Sequence, residues 1–110
     1  AGGPAPAAGV QAPQVTTAEE AKAVVAAAKF APQGERGVCR YVRAAAYSAI
    51  PAADYFPLAN EALTIVQLEG KRALDNLEAI LAVPGLDVVF VGPYDLSQSL
   101  GVPGQVDHPA

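Results

Sequence analysis

The chain has 110 residues, a net charge of −4, 52% hydrophobic residues and only 16% charged ones. An acidic chain without a basic stripe is not built to bind nucleic acid, and no apolar run approaches the ~18 residues that a membrane helix needs. The length suits one small domain or a segment of a larger one, and the apolar share supports a packed core rather than disorder.

Cys39 is the only cysteine, so no internal disulfide forms and a reducing, cytoplasmic setting is expected. With no histidine near it in sequence, the thiol reads as a small semi-buried residue rather than a nucleophile. Lys29, Arg36, Arg40 and Arg43 are the most that can be gathered into a cationic cluster. Methionine is absent, even at position one, so the chain is expected to be a processed product or an excised segment.

Residues 1–8 are rich in Gly, Pro and Ala and read as a flexible lead-in, with 9–110 forming the structured part. Gly9 to Val15 is a short apolar run, predicted to be a strand although Pro13 lies inside it. Thr17-Ala18-Glu19-Glu20 has the capping-box spacing, and a helix follows to about Lys29, with Ala21, Val24, Val25 and Ala28 as its stripe. Pro32, Gly34 and Gly37 break residues 30–37 into a loop. Residues 38–50 have weak periodicity and predict irregular or short helical structure, and Asp54 precedes a short helix, Tyr55 to Ala62.

The second half is patterned more sharply. Thr64 to Glu69 predicts a strand with Thr64, Val66 and Leu68 on the face packed under helices and Ile65, Gln67 and Glu69 on the other. The next helix is predicted over Lys71 to Val83. Ala73, Leu74, Leu77, Ile80 and Leu81 form its stripe, and an Arg72–Asp75 pair lies on the wet face. Pro84-Gly85 stops it. The apolar strand Asp87 to Val91 reads as buried on both faces, Gly92-Pro93 ends it, and a helical turn is expected from Leu96 to Gly101. Right-handed crossovers make these strands parallel with the helices outside, so the fold class is α/β.

Glu69 and Asp95 therefore stand at the carboxyl ends of two successive parallel strands, the edge where α/β proteins build sites. Two bare carboxylates in proximity repel, and a divalent cation removes the conflict. Two carboxylates completed by water and substrate oxygens suit Mg2+ or Mn2+. Gln67, two residues before Glu69 on the same face, can hold a substrate oxygen. The amides after Gly92-Pro93 can approach a carboxylate ligand. Position alone leaves a second role open, in which both acids cap the helices that follow them.

These motifs carry a resemblance. Val66-Gln67-Leu68-Glu69, Arg72 to Leu77 and Val83 to Ser97, with Pro13 to Ala21, Pro32 to Gly37 and the ending Gly101 to Pro109, resemble the HpcH/HpaI aldolase and citrate lyase family. The nearest members are the metal-dependent 4-hydroxy-2-oxoheptanedioate-type aldolases. The resemblance implies part of a (β/α)8 TIM barrel of the phosphoenolpyruvate/pyruvate superfamily, about strands 4–6 with their helices. It implies cleavage of a 4-hydroxy-2-oxo acid to pyruvate and an aldehyde, with Mg2+, Mn2+ or Co2+ as cofactor and a homo-oligomer, often a hexamer. Metal binding falls on Glu69 and Asp95, and pyruvate binding on Gln67, Gly92, Pro93, Tyr94 and Asp95. Tyr94 stands where close relatives carry a small residue. The family's catalytic His and Arg match no residue here, so the isolated chain is expected to be inactive and to expose both sheet edges. Alternatives are a citryl- or malyl-CoA lyase, a citrate-forming relative, or a non-catalytic assembly module.

Overall fold

The computed structural model describes residues 7–110. Six residues of the expected lead-in thus lie outside the described residues, while the carbonyl of Ala8 already accepts the amide of Leu63 at 2.9 Å. The elements are β1 (Gly9–Ala12), α1 (Ala18–Ala28), a 3-10 turn (Arg43–Ala45), α2 (Ala52–Asn60), β2 (Leu63–Leu68), α3 (Lys71–Asp75), α4 (Leu77–Leu81), β3 (Val88–Val91) and α5 (Pro93–Ser99). The strands form one parallel sheet in the order β1-β2-β3. Among the described residues no helix is long and apolar enough to cross a membrane.

Alternation in β2 builds the layer. Thr64, Val66 and Leu68 are fully buried; Val66 and Leu68 pack with Val15, Ala21, Val25, Ala73, Ile80 and Val83 in one cluster. Each large apolar side chain buried there contributes about 1.5–3 kcal/mol. Ile65 and Gln67 face the other way and stay half-buried, with no helix over that side among the described residues. A single covered face makes a slab of 52 × 30 × 16 Å. Its Cα radius of gyration is 16.9 Å, against about 13 Å for a compact chain of this length.

The openness of the slab overturns one expectation. β3 is not buried on both faces: Val88, Phe90 and Val91 are 40–49% exposed, because β3 is an edge strand with no neighbour beyond it among the described residues. Leu74 and Leu81, assigned to the buried stripe, are also exposed. The helix expected over 71–83 divides at Asn76, whose side-chain amide turns inward to donate to the carbonyl of Thr16 at 2.8 Å. Asp75 pairs with Lys71 at 3.0 Å, one full turn away, rather than with Arg72. β1 ends at Ala12 because Pro13 has no amide to donate and Gln14 turns at φ 53. β2 begins and ends one residue earlier than expected, and α2 starts at Ala52 with Asp54 in its first turn rather than at its cap.

The first helix begins as its spacing predicts, with half of the box formed. Thr17 is the N-cap, and its hydroxyl accepts the amide of Glu20 at 3.1 Å. The Glu20 carboxylate accepts instead from the Thr16 hydroxyl at 2.7 Å. That bond chiefly holds the Glu20 carboxyl below the usual carboxylate range. A depressed acid contributes stability above its unfolded pKa and loses it as pH falls through the folded value. Thr17→Ala is expected to lower unfolding stability by about 1 kcal/mol in a denaturant titration, while Thr16→Ala should move the Glu20 titration upward and cost a little stability at neutral pH, a difference that disappears as pH falls through the Glu20 titration.

Three of the four gathered cations are used internally. Lys29 is buried and its ammonium donates to the carbonyls of Asn60, at 2.7 Å, and Ala62, at the end of α2. Arg36 lies 4.4 Å over the Phe30 ring, and Arg40 donates to the carbonyls of Ser48 and Ile50. Cys39, expected to be semi-buried, is exposed, because the segment that carries it joins neither apolar cluster.

Candidate functional site

The carboxyl ends of all three strands meet at Glu69. This residue follows β2 directly, and Gly70 rather than Glu69 caps α3. Its carboxylate reaches sideways to β1, where Oε1 accepts the amide of Gln14 at 3.0 Å. From β3 comes Gly92, and a Cβ there would stand 2.8 Å from Glu69 Cγ and 3.1 Å from Oε2. The glycine is needed because the backbone passes where any side chain would collide with the acid. The same Cβ would lie 3.2 Å from Gln67 Nε2. Gln67 is joined to β1 as well, its Oε1 accepting from Gln11 Nε2 at 3.2 Å.

The segment bearing Asp95 is tied to the segment bearing Glu69 at two points. Gly92 donates its amide to the carbonyl of Leu68 at 2.9 Å, and Lys71 donates its amide to the Ser99 hydroxyl at 3.0 Å. Helix α5 starts at Pro93, not at Leu96, so Asp95 lies inside its first turn. Buried Ser97 fastens the far side, donating to the carbonyl of Tyr94 at 2.6 Å and accepting the amide of Gly104 at 2.8 Å.

The role of helix cap fails for both acids. Gly70 and Gly92 occupy the two cap positions, and neither helix has a side-chain cap bond. Glu69 Oε2 and both oxygens of Asp95 have no hydrogen-bond donor among the described residues, and neither do the amides of Tyr94 and Asp95 find an acceptor there. Pro93, Tyr94 and Asp95 present exposed side chains on the same edge. The structure thus brings Gln67, Glu69 and Gly92 into direct contact, and Pro93, Tyr94 and Asp95 follow on α5. Among the described residues no group of three or more His, Cys, Asp or Glu converges. A cation here would rely on two carboxylates.

Gln11 and Gln14 escaped the sequence reading. Gln11 had one visible signal, a polar residue on a strand flanked by apolar ones, which demands a partner. Gln14 contributes only its backbone and had none. A cavity of about 460 Å³ lies at the opposite end of the sheet around Gly9, Val10, Leu58 and Leu63. It holds none of these groups.

Comparison with known proteins shows the family of the chain. The family model for HpcH/HpaI aldolase/citrate lyase matches residues 5–110. A 2-keto-3-deoxy-L-rhamnonate aldolase from Salmonella paratyphi B is 52% identical over 99 residues, 88% of this chain and 36% of that protein. The chain thus spans about a third of the length of the curated relatives it matches. A solved HpcH/HpaI aldolase/citrate lyase family protein from Burkholderia cenocepacia superposes with a TM-score of 0.85 at 40% identity, over 94% of this chain and 42% of that one. The citrate synthase SbnG superposes with a TM-score of 0.78 at 30% identity, over 92% and 37% respectively.

Proposed function

The chain belongs to the HpcH/HpaI aldolase/citrate lyase family, and from that membership we propose that the protein carrying it is a divalent-metal-dependent carbon–carbon lyase. The proposed reaction cleaves the C3–C4 bond of a 4-hydroxy-2-oxo acid to give pyruvate and an aldehyde. 4-Hydroxy-2-oxoheptanedioate and 2-keto-3-deoxy sugar acids both carry this unit. The observation that supports it most is the clasp on Glu69, with one oxygen held by β1 and the other left open beside a residue that has no side chain.

The donor chemistry fits Mg2+ or Mn2+, because the open oxygens of Glu69 and Asp95 are hard and anionic and the cradle at Gly92 keeps side chains out. When bound, such an ion supplies positive charge to oxygens that gain electron density as the bond breaks. The chain's own residues do the orienting. Gln67 Nε2 offers a neutral donor beside Glu69, suited to an oxygen of the 2-oxo acid. The amides of Tyr94 and Asp95 suit its carboxylate, and Pro93, lacking an amide, leaves them as the first two in the turn. The exposed Tyr94 ring stands where it would bear on the aldehyde half. Proton transfer is assigned to residues outside this chain. The only histidine here, His108, lies in the tail, where its Nδ1 accepts the amide of Ala110.

We further place β1, β2 and β3 at about strands 4–6 of a (β/α)8 barrel, a fold of about 250 residues. The uncovered sheet face and free edges support this, as they support assembly into a homo-oligomer. A reducing cytoplasm is the proposed compartment, on the single exposed thiol. The likeness to a citrate synthase favours citrate formation as the second reading.

The test is a coupled assay for pyruvate release by the protein expressed from the complete reading frame that carries this chain. Release should require added Mg2+ or Mn2+, and a protein that instead forms citrate moves the assignment to the second reading. Gly92→Ala is a sharp control: its Cβ would force Glu69 off its clasp, and activity should fall about 10²-fold. Melting temperature without metal should shift by less than 2–4 °C, since Glu69 is only half-buried and can swing outward.

A further inference from the structure

The face of the sheet that bears the site carries a second glutamine. Gln11 pairs in register with Ile65, one position before the pair formed by Ala12 and Val66, so its side chain shares the open face with Ile65 and Gln67. Its amide nitrogen donates to Gln67 Oε1 at 3.2 Å. The direction of that bond matters. A side-chain amide presents a donor at one end and an acceptor at the other, and only its partners decide which end faces which way. With Oε1 turned to Gln11, Gln67 Nε2 faces the space at Gly92, where it and Glu69 Oε2 both lie within 3.2 Å of one point. The opposite orientation would set a carbonyl oxygen beside a carboxylate.

We infer that Gln11 is a positioning residue for the 2-oxo acid: by donating to Gln67 it holds the Gln67 nitrogen toward the bound pyruvate moiety. This rests on the lyase reading for the ligand but not for the geometry. A donor aimed at a 2-oxo or carboxylate oxygen strengthens binding, whereas an acceptor in the same place repels it. The residue touches no reacting atom in this scheme and acts only through Gln67. Because it is exposed, replacing it leaves the core intact.

Three variants in the protein from the complete reading frame separate donor direction from charge and packing. Gln11→Glu can only accept, so it turns the Gln67 amide over. Gln11→Leu removes the constraint without adding charge, and Gln11→Lys keeps a donor. Pyruvate dissociation constants are read by calorimetry in excess Mg2+, and the Gln67 side-chain amide is followed by 15N NMR. Gln11→Glu should weaken pyruvate about tenfold and shift the Gln67 amide signal. Gln11→Leu should fall between, and Gln11→Lys should match the parent within about twofold. In turnover the loss should appear in KM rather than kcat. Equal affinity in all four proteins overturns the inference and leaves the lyase reading standing. Equal weakening by Glu and Lys overturns it as well. Failure of the unaltered protein to bind pyruvate removes the lyase reading, and the inference falls with it.

Discussion

Glu69→Gln is expected to abolish the rise in melting temperature expected with Mg2+ under the proposed lyase reading and to lower pyruvate release by about 10²–10³-fold. The substitution exchanges one oxygen for a nitrogen at constant shape. The bond from the Gln14 amide can therefore persist on the remaining oxygen, and the contact with Gly92 is kept. What is lost is the negative charge, on one of the two carboxylates carried at the ends of β2 and β3. For the unaltered protein, metal at a hundred times its dissociation constant adds about 2.7 kcal/mol. For a protein of the proposed barrel's size, about 250 residues, this is worth roughly 5–10 °C. The variant should show none of this rise while melting, without metal, within a few degrees of the parent. Asp95→Asn should weaken metal binding in the same way, and its more exposed position predicts a smaller loss. A Glu69→Gln protein with the full metal response would place the cation elsewhere and leave the clasp without a role.

Gly34→Ala is expected to destabilise the fold by about 3 kcal/mol, at the upper end of what overpacking costs. A Cβ at Gly34 would run into the carbonyl of Lys29, and would stand 2.7 Å from the carbonyl of Ala26 and 2.9 Å from Lys29 Cβ. These atoms belong to the last turn of α1 and to its C-cap, Lys29, whose backbone is held by the bonds that close the helix. They are also in use, since Glu35 donates to the carbonyl of Ala26 at 2.7 Å and Arg36 to that of Lys29 at 2.9 Å. Displacing them pulls on Lys29, whose ammonium closes the end of α2. Thermal unfolding should show the loss as a drop in melting temperature, with metal affinity per folded molecule unchanged, because Gly34 is far in the chain from the strand ends that form the site. Gly37→Ala supplies the comparison. Nothing lies within 4 Å of its Cβ position, so the change should be neutral or stabilising by about 0.4–1 kcal/mol through the unfolded chain. Equal stability of the two variants would show that the loop, rather than the turn against α1, absorbs the strain.

The same contrast explains how far residues alone reach. Local rules worked where one interaction decides the outcome. Thr17 starts α1 because its hydroxyl meets an amide three residues on. Val66 and Leu68 are buried because they alternate with residues of the other face. The rules failed where a distant segment competes. Asn76 divides a helix whose pattern is continuous, since its amide finds the carbonyl of Thr16 sixty residues away in sequence. β3 reads as buried on both faces because Val88 to Val91 is apolar throughout, yet composition carries no record of whether a neighbour stands beside it, and among the described residues none does.

For the site, the residue types and their order along the chain were decided by sequence. A Gln on one face of β2 is followed two residues later by a Glu just past the strand, a Gly-Pro breaks the next strand, and an Asp comes three residues after the Gly. Strand alternation and the crossover rule require no more than local geometry to put these on one edge. What they do there was decided only by tertiary structure. The amide of Gln14, the missing side chain of Gly92 and the donor of Gln11 come from two other strands, and their contacts depend on the register between strands. A register shift of one residue would turn every one of these side chains to the opposite face. Register is settled by the packing of the whole covered face against α1, α3 and α4, which no single stretch of the chain contains.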